Sequence, residues 1–144
     1  MATRSETIRN DDGEATVTIV TPQLLTTVAR GRATVPMVHT YFRFFHEFLD
    51  AATHKVDVFH DWYESTEVES EARATYLRWV HERQERHARV IRNVTALVGS
   101  PLIWVALQAG TITKSYAHAL RAREPFEKAL RYAAAFPSTD PIDK

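Results

Sequence analysis

Two hydrophobic periods divide this chain. From residue 14, "EATVTIV" alternates Val17 and Ile19 with Thr16 and Thr18, a β-branched two-residue repeat that predicts a strand. "TPQ" then supplies a turn, and "LLTTVAR" predicts a second strand closed by Gly31. Two strands with so short a connection imply an antiparallel hairpin. The period then lengthens to that of a helix. Over residues 35–52, Val38, Tyr41, Phe42, Phe45, Phe48, Leu49 and Ala52 share one arc, while Thr40, Arg43, Glu47 and Asp50 share the other. This is an amphipathic helix with an aromatic inner face, capped by Thr34 and with Pro36 in its first turn.

The alternation continues. "KVDVFHDW" predicts a third strand and "STEVESEARATYLRWVHERQERH" a second helix, with Tyr76, Trp79 and Val80 facing inward. Thr66 and Glu69 have the spacing of a capping box, and acidic first and basic last turns match the helix dipole. "NVTALV" predicts a fourth strand, "SPLIWVALQAG" a short helix opened by Ser100 and Pro101 and stopped by Gly110, and "TITKSYA" a fifth strand. Pro125 opens a last helix in which Phe126, Leu130 and Ala133 share a face. The order β-β-α-β-α-β-α-β-α predicts an α/β fold: a mixed sheet of four to five strands, an antiparallel N-terminal hairpin, and helices packed on it. An all-α bundle is the alternative if "NVTALV" and "TITKSYA" are not strands. Residues 1–13 read as a flexible arm or an extra strand, 14–136 as the domain, and 137–144 as a frayed tail.

Composition narrows the function classes. A length of 144 residues suits one core. Eighteen basic and eighteen acidic residues cancel, so no global field draws the chain to nucleic acid or to an anionic membrane. With no cysteine there is no disulfide, thiolate metal site or cysteine nucleophile. The polar start and the lack of a long apolar run predict a cytoplasmic protein without a membrane partner. Neither a glycine-rich phosphate loop nor a Gly-x-Ser-x-Gly elbow is present. No enzyme activity, cofactor or bound metal is expected.

Five stretches, "ARGRATVPMV", "VDVFHDW", "SEARATYLRWV", "VTALVGSPLIWVAL" and "TKSYAHALRAREPFEKAL", occur in an order that resembles the STAS domain of anti-sigma-factor antagonists. The likeness is to the divergent bacterial branch described as STAS-like or SEC14-like. It implies a regulatory or scaffolding module that works by protein contact, sometimes by holding a small ligand. The antagonists carry a phosphorylated serine after the central strand, in an Asp-Ser-Gly type motif. Here that region reads "HDWYESTEVESEA", without Asp-Ser or glycine. Ser65 and Thr66 are the candidate phosphoacceptors, beside Glu64, Glu67 and Glu69, which would repel a phosphate.

Other residues carry candidate chemistry. His60, Asp61 and Glu64 fall at the carboxyl end of the central strand, where open parallel sheets bind ligands, so they form a candidate ligand edge. A polar loop is the plain alternative. His39 with His46, and His81 with Glu85 and His87, have same-face helical spacing but too few ligands for a structural zinc. Arg83, Arg86, Arg89 and Arg92 form a basic ladder interrupted by Glu82 and Glu85, better read as a solvated helix end than as a nucleic-acid grip. The sharpest feature is "SPLIWVALQAG". Leu102, Ile103, Trp104 and Leu107 cannot all face one sheet, and each left in water forgoes roughly 1.5–3 kcal/mol of burial. They are the candidate partner-binding residues, with a homodimer expected and burial within the fold as the alternative.

Overall fold

The computed structural model describes residues 3–101, 103–104 and 117–142. Six strands form one sheet in the order β1-β2-β3-β4-β5-β6: β1 (Arg4–Arg9), β2 (Gly13–Thr21), β3 (Leu24–Ala33), β4 (Val56–Val68), β5 (Ile91–Val98) and β6 (Ala117–Leu120). The β1–β2 and β2–β3 pairs are antiparallel, and the β3–β4, β4–β5 and β5–β6 pairs are parallel. This is the mixed α/β sheet expected, with one strand more, because the polar N-terminal segment pairs along β2 as β1. Gly31, near the end of β3, lets the strand pass close against the β1–β2 connection. It has φ +68, and a Cβ there would meet the Asp12 carbonyl oxygen at 2.2 Å.

Helices cover the sheet unequally. Helix α1 (Val35–Ala51), α2 (Ser70–Glu82) and α3 (Gln84–Val90) lie on one face. There Phe42, Phe45 and Phe48 pack with Trp79 against Leu25, Val56 and Val58. Helix α4 (Arg123–Ala135) lies on the other face, where Phe126 and Ala133 pack against Leu24, Phe59 and Leu97. Val58 and Phe59 are sequence neighbours in different cores, as the strand's two-residue period requires. Beneath α4, Asp57 is buried and binds the Arg92 guanidinium through both oxygens, at 3.0 and 2.6 Å. Arg92 also donates to the Phe136 carbonyl at 3.0 Å, tying the end of α4 to the sheet.

Three expectations need correction. Strand β4 runs on to Val68, through the residues expected to open a helix. Its register beside β3 brings Arg30 to Glu64 and Arg32 to Glu67, so cross-strand ion pairs and ladder hydrogen bonds outweigh the capping pattern. Helix α2 begins at Ser70 with no side-chain cap, so the Thr66–Glu69 box is not formed. The long second helix breaks at Arg83 into α2 and α3, which allows His87 and Val90 to join Trp79 in the core. The tail is pinned rather than frayed. Lys55 donates its N–H to the Asp140 carbonyl at 3.0 Å, and Ile142 donates to Thr53 at 3.2 Å. Of "TITKSYA", only Ala117 is described, and it opens β6. Among the described residues no helix is long and apolar enough to cross a membrane.

Candidate functional site

The parallel strands carry their chemistry to their carboxyl ends, and the pleat distributes it to two faces. His60 points to the α1 side, where it is almost fully buried. Its ring stacks on Trp62 at 4.5 Å and meets Tyr41 edge-on at 5.4 Å. Its Nδ1 is 2.7 Å from the Thr27 hydroxyl, and its Nε2 has no hydrogen-bond partner among the described residues. An orphaned lone pair is cheaper than an orphaned N–H, so Nδ1 carries the proton and donates to Thr27. Burial pushes the imidazole pKa down to about 3, so this histidine is neutral at ordinary pH.

Asp61 points to the opposite face and accepts from Arg123 at 2.9 and 3.4 Å. Glu64 is exposed and pairs with Arg30 at 3.1 Å. The three candidate edge residues therefore do not converge on one point, and among the described residues no group of His, Asp or Glu could hold a metal ion. Strand alternation separates His60 from Asp61, and the register shift of β4 against β3 after Asp61 turns Glu64 away from His60. Ser65 is buried within β4, its hydroxyl 3.5 Å from the Gly31 carbonyl, and Thr66 is exposed on the same strand. Neither begins a helix.

The arginine ladder is dispersed. Arg86 binds Asp50 at 2.5 Å, Arg92 is committed to Asp57, and Arg83 lies over the Trp79 ring. Of the histidine pairs, His46 accepts from Trp79 Nε1 at 3.1 Å. His87 is buried, its Nε2 without a partner among the described residues, and burial with Arg83 and Arg86 nearby lowers its pKa to about 4.

The apolar stretch after β5 is described at Pro101, Ile103 and Trp104, which are helical, Trp104 donating its N–H to Ser100 at 3.0 Å. Leu102 and Leu107 lie outside the described residues. Ile103 is buried against Ala96 and Val98, so it is core and not a contact residue. Trp104 is half-buried, with the Arg121 guanidinium 5.1 Å above its ring. Arg123 lies 5.4 Å over Tyr63, whose side chain is exposed. Gly99 presses on this point, since a Cβ there would stand 2.4 Å from the Tyr63 carbonyl oxygen. The carboxyl end of the sheet is thus rimmed by two arginine–aromatic stacks. Tyr63, Arg121 and Arg123 were missed in the sequence, where the only signal is the close doublet of arginines after β6.

A cavity of about 140 Å3 opens behind this rim, between the sheet and α1 and α2. Its floor is made by Ala15 and Val17 of β2 and Thr27 and Ala29 of β3. Tyr41 from α1 and Tyr76 from α2 close it from above. Burial, with the neighbouring Tyr76 phenol, lifts the Tyr41 pKa well above its ordinary value, so its hydroxyl keeps its proton.

No family model matches the chain, and no curated protein matches it. Solved structures share its architecture, two of them as follows. One is an uncharacterised protein of the DUF3478 family with a SpoIIAA-like fold from Shewanella loihica PV-4. It is 14% identical, with a TM-score of 0.54 over 89% of this chain and 93% of that one. The other is the anti-sigma factor antagonist SpoIIAA in its unphosphorylated form, 16% identical, with a TM-score of 0.57 over 83% of this chain and 97% of that one. The chain has a STAS-like, SpoIIAA-like fold.

Proposed function

We propose that this chain is a non-enzymatic regulatory module that works by protein contact through the rim at the carboxyl end of its parallel strands. The observation that carries the reading is the pair of stacks, Arg121 on Trp104 and Arg123 on Tyr63. Tryptophan, tyrosine and arginine dominate binding energy at protein interfaces, and an aromatic face holds the guanidinium in one orientation before a partner arrives. The fold likeness to an anti-sigma factor antagonist supports a regulatory role. A homodimer is the expected state.

The test is solution mass by size-exclusion chromatography with light scattering, on the wild type and Trp104→Glu. A wild-type dimer that becomes a folded monomer supports the reading. A wild-type monomer together with an unfolded variant makes Trp104 a core residue and removes it. A second reading, capture of a small ligand, is favoured by the cavity between the sheet and α1 and α2.

A further inference from the structure

The cavity has a composition that selects its occupant. Its wall is almost wholly apolar, and small side chains make the space: Ala15, Ala29 and Ala33 from the strands, and Ala72 from α2. A cavity of about 140 Å3 matches those that accept a benzene-sized apolar body. One charged side chain stands in the lining, Arg73 of α2, and no carboxylate does. Among the described residues Arg73 has no ion-pair or side-chain hydrogen-bond partner. Glu69, one turn earlier on the same helix face, is directed to Arg32 at 4.0 Å instead. Arg73 is exposed, so it belongs to the open edge of the cavity and not to its apolar interior.

An apolar hollow with a lone cation at its mouth fits one class of molecule. We propose that the cavity binds a small amphipathic carboxylate, its ring or chain of about six carbons inside and its carboxylate on Arg73. The proposal rests on reading the cavity as a ligand site. The apolar body supplies affinity by leaving water, and the guanidinium supplies the choice of an acid over an alcohol. Trp62 lines the same space and provides an optical report of occupancy.

Hexanoate and 1-hexanol are the probes, titrated by calorimetry and tryptophan fluorescence against the full chain, Arg73→Gln and Ala29→Leu. Hexanoate is expected to bind at least about tenfold more tightly than hexanol, the scale of a charge-assisted hydrogen bond. Arg73→Gln should remove that preference while leaving hexanol binding unchanged. Ala29→Leu should abolish binding of both, with Ala33→Leu as the substitute if circular dichroism shows that the first variant is unfolded. Equal affinity for the two probes in the wild type overturns the carboxylate and leaves a purely apolar site. Failure of both to bind overturns the ligand site itself. A preference that survives in Arg73→Gln overturns the role of that residue.

Discussion

The space between α1–α2 and the sheet is filled at one end and hollow at the other. Over the strand starts, Phe45, Phe48 and Leu49 of α1 meet Leu25, Val56 and Val58, with Trp79 stacked on Phe42 at 4.2 Å. Over the strand ends, Tyr41 and Val38 of the same helix face Ala15, Ala29 and Ala33 across open space. Helix periodicity is the same in both halves, but the volume of the inward side chains differs, and β4 shifts register against β3 in the hollow half. The lesson is that one amphipathic helix can anchor a fold with half of its face and roof a binding site with the other half.

The sharpest way to break this comparison is to create space in the filled half. Phe45→Ala should cost about 3–5 kcal/mol, read from urea unfolding, because a ring is lost and the neighbours relax only partly. A loss below about 1 kcal/mol would show that the filled half is no better packed than the hollow one.

Acid probes the border between the halves. His60 and His87 are neutral in the fold, with pKa values near 3 and 4, against about 6.5 in the unfolded chain. Below pH 6.5 the unfolded chain therefore binds more protons, and stability falls as pH falls, until the folded pKa values are reached. At pH 5 the loss relative to pH 7 should be about 2 kcal/mol per histidine. His60→Gln should flatten that part of the slope. An unfolding midpoint unchanged between pH 7 and pH 5 would mean that neither ring is buried neutral.

The smallest effect belongs to the hollow half. Ala29→Leu should change stability by less than about 1 kcal/mol in either direction, since the added methyl groups enter space instead of neighbours. A loss as large as that from Phe45→Ala would show that the hollow closes in solution.

Much of this architecture was legible in the residues, and the exceptions share one cause. The hairpin, α1 and the last helix declare themselves through their periods, whereas the short apolar run of β5 fits strand or helix until it is paired with β4. The course of β4 past Asp61 was not legible. "STEV" is a fair helix start by local chemistry, and it is held extended by its pairing along β3, with Arg30 and Arg32 beside Glu64 and Glu67. The break at Arg83 was hidden for the same reason, because it serves contacts with Trp79 that no local pattern encodes. Among the candidate residues, Trp104 is half-buried under Arg121 and Ile103 is buried against Ala96 and Val98.

The sequence by itself determined the fold class, since the two-residue and 3.6-residue periods reflect backbone geometry that each segment carries alone. It also determined what chemistry is absent from the composition, beginning with cysteine. Only the tertiary structure decided where His60, Asp61 and Glu64 point, because a strand's faces acquire meaning when helices cover them. It alone decided that four alanines distant in sequence would surround one space with Arg73 at its mouth. A cavity belongs to no segment: it is volume that several elements fail to fill together, and that failure exists only once they are assembled.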